Sequence, residues 1–208
     1  MNAGNPKPNI HILDRRLTYP GSNYSYQVGL RDVRVGSSSS STSYNYNRTA
    51  EVSLSAFGYL MSEMVQYSQT RVNSIESLER RLEEAGFAVG LRVLEIQALR
   101  ERTNAKRKLR FLQMLQWIST DMWKVLFGKT ADSLERSTEN TDEYMIHEFQ
   151  PITNVFVSVP PDLGQMNCAA YIAGIIAGAL EGAFFPAVVS AHSVEVSEVE
   201  FELRKVKQ

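Results

Sequence analysis

Apolar positions recur at helical spacing over the middle of the chain. Leu54, Phe57, Met61, Met64 and Ser68 stand at steps of three and four, which predicts a helix with a narrow apolar seam. Asn73 can cap a second helix, with Glu76 three residues on in a capping-box-like pair. Ile75, Leu78 and Leu82 form its face, and Gly86 is its expected stop. Leu91, Leu94 and Leu99 mark a third helix. Leu115, Ile118, Met122, Leu126 and Phe127 mark a fourth, closed by Gly128 as the left-handed residue after the last turn. Thr130 is then placed to cap a short helix from Ala131 to about Ser137.

Beyond the acidic turn Glu139–Asp142 the period changes. Tyr144–Phe149 and Val155–Val159 read as strands joined by a turn, and Pro160-Pro161 ends the pair. A Gly/Ala helix from about Asn167 to Glu181 follows. A terminal hairpin, Ala187–Val196 and Val199–Val206, completes the pattern. Helices first, then strand pairs around one helix, predict an α+β domain. Residues 1–50 lack any such period and carry the run Ser37–Ser41. They are expected to be a disordered, low-complexity extension to a single domain over 51–208.

Composition narrows the chemistry. The chain has 208 residues, a net charge of −1, one cysteine and three histidines. No global field favours nucleic acid, no internal disulfide is possible, and neither a metal nor another cofactor is expected. A reducing, cytoplasmic setting fits, and no signal peptide opens the sequence. The uncharged apolar run Cys168–Leu180 spans 13 residues, short of the roughly 20 needed to cross a bilayer.

Gly128-Lys129-Thr130 matches the tail of a phosphate-binding loop. The first glycine of that loop would stand at position 123, which is Trp, and a helix rather than a strand precedes it. The nucleotide reading fails. Cys168 is the one candidate thiol, with His147 or His192 as conceivable bases, but a small buried residue on a Gly/Ala helix explains it as well. Arg100, Arg102, Lys106, Arg107, Lys108 and Arg110 form a basic cluster. It is either a solvated helix junction or a patch for an anionic membrane or acidic partner. The seam Leu54, Phe57, Met61 and Met64, with Tyr67 at its rim, is the candidate partner contact, because so narrow a stripe suits a facing helix. No catalytic constellation emerges. A Cys168-dependent hydrolase and an acyl-chain carrier are the alternatives to an interaction subunit.

Several motifs together resemble one family. They are Trp123-Lys124-x-Leu126-Phe127-Gly128-Lys129-x-Ala131-Asp132-x-Leu134-Glu135, then Asn154-x-Phe156-x-Ser158-x-Pro160, Asn167-Cys168-Ala169 and Phe185-Pro186-Ala187-x-Val189-x-Ala191-His192. Upstream stand Ser53-Leu54-Ser55-Ala56-Phe57 and Gly86-Phe87-Ala88-Val89-Gly90-Leu91-Arg92-Val93-Leu94-Glu95. Over about residues 51–208 the chain resembles the small core subunits of the transport protein particle (TRAPP) complex. The resemblance implies helices packed on a four-stranded antiparallel sheet, and pairing of subunits through their N-terminal helices. It also implies a non-catalytic part in a complex that tethers vesicles and acts as guanine-nucleotide exchange factor for a Rab-type GTPase in ER-to-Golgi transport. The partners it implies are the acyl-carrying core subunit and the longin-like subunit 2, at ER and cis-Golgi membranes. Two departures stand out. No cysteine lies in Arg102–Arg110, so acylation there is not expected, and the terminal hairpin is short.

Overall fold

The computed structural model describes residues 53–100, 107–138, 140, 142–155, 157, 166–194 and 198–206. The N-terminal extension, Arg102 and Lys106 lie outside them. The elements are α1 (Leu54–Gln69), α2 (Ile75–Arg100), α3 (Phe111–Trp117), a π-helical turn (Ile118–Met122), α4 (Trp123–Phe127), β1 (Ser133–Arg136), β2 (Glu143–Glu148), α5 (Ile152–Val155), α6 (Ala170–Gly182), β3 (Ala187–Ser193) and β4 (Val199–Lys205).

Helix α1 starts where the Ser53 hydroxyl accepts the Ala56 N–H at 3.2 Å, satisfying one orphan donor of the first turn. The start of α2 is capped by Ser74, whose hydroxyl accepts from the Ser77 N–H at 3.2 Å, and not by Asn73. Helix α2 then runs unbroken through Gly86, which corrects the expected stop there and the separate third helix. Gly86 and Gly90 serve a different purpose. A Cβ on either would lie 2.0 Å from the Tyr171 carbonyl oxygen and 2.1 Å from that of Ile175, both on α6. Gly174 and Gly178 reciprocate, with 2.0 Å to the Glu83 oxygen and 2.2 Å to that of Phe87. The two helices run parallel with their backbones in contact, and four missing side chains make that approach possible.

The fourth expected helix is present with a π-helical turn inserted. The extra residue re-aims the helix, so that Phe111, Met114, Leu115 and Ile118 before it and Met122, Trp123 and Phe127 after it are all buried. Gly128 ends it in the left-handed region at φ 76°. Thr130 caps no helix. Ser133–Arg136 instead forms the edge strand β1, antiparallel to β2, with Leu134 opposite Ile146. The expected strand over Val155–Val159 is not formed by its described part. Ile152–Val155 is a single helical turn, anchored by Ile152 and Thr153 in the interior.

The sheet order is β1-β2-β4-β3, all antiparallel, and α6 stands between the two strand pairs in sequence. Alternation along the strands turns Ile146, Val189, Val199, Phe201 and Leu203 inward. There they meet α3, α4 and α6 in the main core. A second, smaller core joins α1 to α2 and to the start of α6. It consists of Met61, Val65, Leu78, Leu82, Met166 and Cys168. The fold is the expected α+β arrangement, with β1 drawn from a segment expected to be helical.

Candidate functional site

The helix-to-strand turn after Gly128 carries a polar cluster centred on the buried Glu148 carboxylate. Lys129 is turned back onto the Glu148 carboxylate, which also accepts the Trp123 indole N–H at 2.9 Å. Asp132 stands 3.6 Å from the Lys129 ammonium and accepts the Phe149 backbone N–H at 2.8 Å. Burial pushes the Glu148 carboxyl above the usual carboxylate value, against the lowering effect of Lys129 and Trp123. The adjoining cavity, lined by Trp123, Phe127 and Ile172, has about 10 Å³, close to the space of one water. This is an ion pair between a buried carboxylate and a partly exposed ammonium, and with the Trp123 hydrogen bond it ties the end of α4 to β2. The preceding helix and the engaged ammonium give Gly128-Lys129-Thr130 none of the cradle a phosphate needs.

Cys168 lies in the smaller core, and burial, aided by the Glu79 charge, pushes its thiol up to about 12. A nucleophilic cysteine requires the opposite shift. Neither described histidine is its base. His147 lies between Glu135 and Glu198, at 4.0 and 3.7 Å, and His192 contacts Ser190 and Glu202, at 3.0 and 3.3 Å. Both belong to the outer face of the sheet. On that face Glu143 is held down to about 2 by hydrogen bonding with Glu202, Asn140 and Arg204.

The α1 seam divides into two parts. Met61 is 2% exposed and packs with Val65 in the chain's own smaller core. Leu54 and Phe57 are partly buried against the main core, and Phe57 and Met64 against the smaller one. Of the residues picked from the pattern, only Tyr67 is broadly exposed, at 54%. The outward face adds Tyr59, beside the seam, at 74% and Leu60, which the pattern did not single out, at 68%. Ala56, Leu60, Glu63 and Tyr67 follow one another by four, three and four positions, a second stripe on the face turned away from the core. The Arg71 guanidinium stacks 3.4 Å from the Tyr67 ring centroid and donates to the Tyr67 carbonyl oxygen at 3.0 Å, fixing the rim of that stripe. The sequence signal for it was its apolar content, but two overlapping stripes on one helix leave the inward one undetermined until α2 is in place.

Of the basic cluster, Arg100, Arg107, Lys108 and Arg110 fall among the described residues. Arg107 and Arg110 are exposed at the approach to α3. Lys108 lies with its ammonium 5.5 Å from the Trp117 ring centroid. Arg107 stacks 5.5 Å from the ring centroid of Phe184, the second residue past the end of α6. No helix among the described residues is long and apolar enough to cross a membrane.

Comparison with known proteins gives a consistent result. Residues 57–206 match the family described as transport protein particle (TRAPP) component. The chain is 48% identical over 151 residues to trafficking protein particle complex subunit 5 of Dictyostelium discoideum, covering 73% of this chain and 81% of that protein. It is 43% identical over 142 residues to the subunit 5 of Homo sapiens, covering 68% of this chain and 75% of that one. Its fold is similar to a crystal structure of a trafficking protein particle complex subunit 3 from Naegleria fowleri covalently bound to palmitic acid. The TM-score is 0.66 at 18% identity, over 74% of this chain and 95% of that one.

Proposed function

This chain belongs to the transport protein particle (TRAPP) component family, and we propose that it works in the TRAPP complex as a non-catalytic architectural subunit. Its partners are other TRAPP subunits. Within that assembly the chain links the acyl-carrying core subunit to the longin-like subunit 2. The complex tethers vesicles and promotes nucleotide exchange on a Rab-type GTPase in ER-to-Golgi transport, on the cytoplasmic side of ER and cis-Golgi membranes.

The 48% identity to a subunit 5 over 73% of this chain carries the reading. Residue chemistry supports it. The thiol is buried with its proton held, and the Lys129 ammonium is committed to Glu148. Meanwhile α1 presents aromatic and aliphatic side chains outward. Stable subunit contacts bury roughly 800 Å² per partner and centre on a few large apolar anchors. The α1 seam is the contact proposed. Leu60 and Tyr67 serve as its outward anchors, Leu54, Phe57 and Met64 contribute their exposed edges, and Met61 clamps the helix to the domain.

An acyl carrier finds less support. The space between α2 and α6 is closed by backbone contact at Gly86, Gly90, Gly174 and Gly178.

Affinity purification of the tagged full chain from its own cells tests the assignment. The expected result is co-purification of TRAPP subunits at fixed stoichiometry, with exchange activity on a Rab-type GTPase in the recovered complex and none in the chain alone. A chain recovered without them would refute it.

A further inference from the structure

One end of the sheet gathers exposed apolar and basic side chains that the α1 contact does not use. Helix α6 closes in a Schellman arrangement, in which the Phe185 N–H donates to the Leu180 oxygen and the Phe184 N–H to the Glu181 oxygen, both at 2.9 Å. The residue between helix and strand in such a cap adopts positive φ and is ordinarily glycine. Here it is Phe184, at φ 63°, the one non-glycine residue in that region among those described. Its ring is 78% exposed. An aromatic side chain held outward at a strained position is a reason to look for what it meets.

The surroundings are basic. Arg107 stacks on the Phe184 ring. Leu109, between Lys108 and Arg110, is 79% exposed. The neighbouring Phe185 ring lies 6.1 Å from Phe111, which in turn lies 5.5 Å from Tyr144. Arg136, at the end of β1, stacks on the other side of that chain of rings, 5.8 Å from Tyr144. Lys205, at the end of β4, pairs with Ala187 at the start of β3. Acids also stand at this end: Glu181, exposed on the last turn of α6, Asp142, whose backbone oxygen accepts the Lys205 N–H, and Glu143, which is paired with Arg204 at 2.9 Å. Helix α2 reaches the same end, because its Leu91 and Leu94 side chains lie against Gly182. Beyond them stand exposed Leu99 and partly buried Arg100.

From this juxtaposition we infer that the Phe184 end of the domain is a peripheral docking face for an anionic lipid bilayer. Arg107, Arg110 and Lys205 meet headgroups, and Phe184 and Leu109 enter the interfacial layer. Exposed apolar tips ringed by arginine and lysine suit a surface that is anionic outside and apolar beneath. An acidic protein surface would satisfy the charges but would leave Phe184 and Leu109 with nothing apolar to enter. The inference rests on the peripheral membrane association proposed above, not on pairing through α1.

Co-sedimentation of the full chain with phosphatidylcholine vesicles, with and without phosphatidylserine, tests it. The chain should pellet with the anionic vesicles and stay in solution with the neutral ones. Arg107→Ala with Arg110→Ala should weaken partitioning roughly thirtyfold, about fivefold for each charge removed near an anionic surface. Phe184→Asn should also weaken it while keeping or raising the unfolding midpoint, because asparagine accepts positive φ at little cost. Recovery of TRAPP subunits with each variant should be unchanged, so this inference and the assembly reading fail separately. Equal pelleting with both vesicle types, wild-type pelleting of the variants, or loss of subunits from them would each overturn the docking face.

Discussion

Helix α2 meets α6 and α1 by opposite means. Against α6 it brings backbone to backbone, with four glycines at which a Cβ would lie about 2 Å from a facing carbonyl oxygen. Against α1 it offers Leu78 and Leu82 to Met61 and Val65, a contact of ordinary side-chain depth that leaves Tyr59, Leu60 and Tyr67 exposed on the far side of α1. The first contact is complete within the chain. The second is half of a layer, and the residues that finish it, on this account, belong to another subunit. The contrast separates what the sequence spends on folding from what it reserves for assembly.

The α2–α6 contact is where substitution should do most harm. Gly174→Ala or Gly178→Ala sets a Cβ about 2 Å from a backbone oxygen of α2, and backbone cannot swing aside. Each should cost roughly 3 kcal/mol, the upper range for overpacking, read as a lower midpoint in urea unfolding. Gly182→Ala sharpens the comparison. Its Cβ meets only the flexible tips of Leu91 and Leu94 at 3.0 and 2.9 Å, so its cost should stay below about 1 kcal/mol.

The next effect depends on pH. Lys129→Met removes the cation that faces buried Glu148. Because Lys129 is itself partly solvated, the loss should be near 2 kcal/mol at neutral pH, less than for a fully buried pair. Glu148 already sits above its usual value of 4.5 in the folded protein. Stability drawn from its protonated form is complete below that value and is lost as pH rises through the raised one. Without Lys129 the folded value rises further. The gap between variant and wild type, followed by unfolding midpoints, should therefore be widest at neutral pH and close as pH falls toward 4.5. Adding Glu148→Gln should recover most of it.

These contrasts also mark what the sequence made legible. The helical period located α1, the start of α2, the α3–α4 segment and its Gly128 stop, because each depends on a one-sided stripe against a core. Gly86 was misread as a stop because a glycine that ends a helix and one that admits a neighbouring backbone look alike in sequence. Only the matching spacing of Gly174 and Gly178 distinguishes them, and that is a relation between segments about 90 residues apart. The strand Ser133–Arg136 was missed because edge pairing with β2, rather than its own pattern, makes it extended. On α1, Tyr67 was read as the edge of the seam, and its side chain is exposed. Leu60 was passed over because the inward stripe through Met61 had the cleaner period. Phe184 gave no signal at all, since its conformation is set by the cap of α6 and not by its type.

The smallest effect on stability should be the largest on assembly. Leu60 and Tyr67 are 68% and 54% exposed, so replacing both by Asp should shift the unfolding midpoint by no more than about 0.5 kcal/mol, as surface changes do. Met61→Ala, by contrast, opens a cavity and should cost about 2 kcal/mol or more. The decisive measurement is the stoichiometry with which the Leu60→Asp, Tyr67→Asp chain, folded by circular dichroism, co-purifies with its TRAPP neighbours. The account predicts that the partner paired through α1 is lost while the chain remains folded. Full recovery of every neighbour by that folded variant would contradict it.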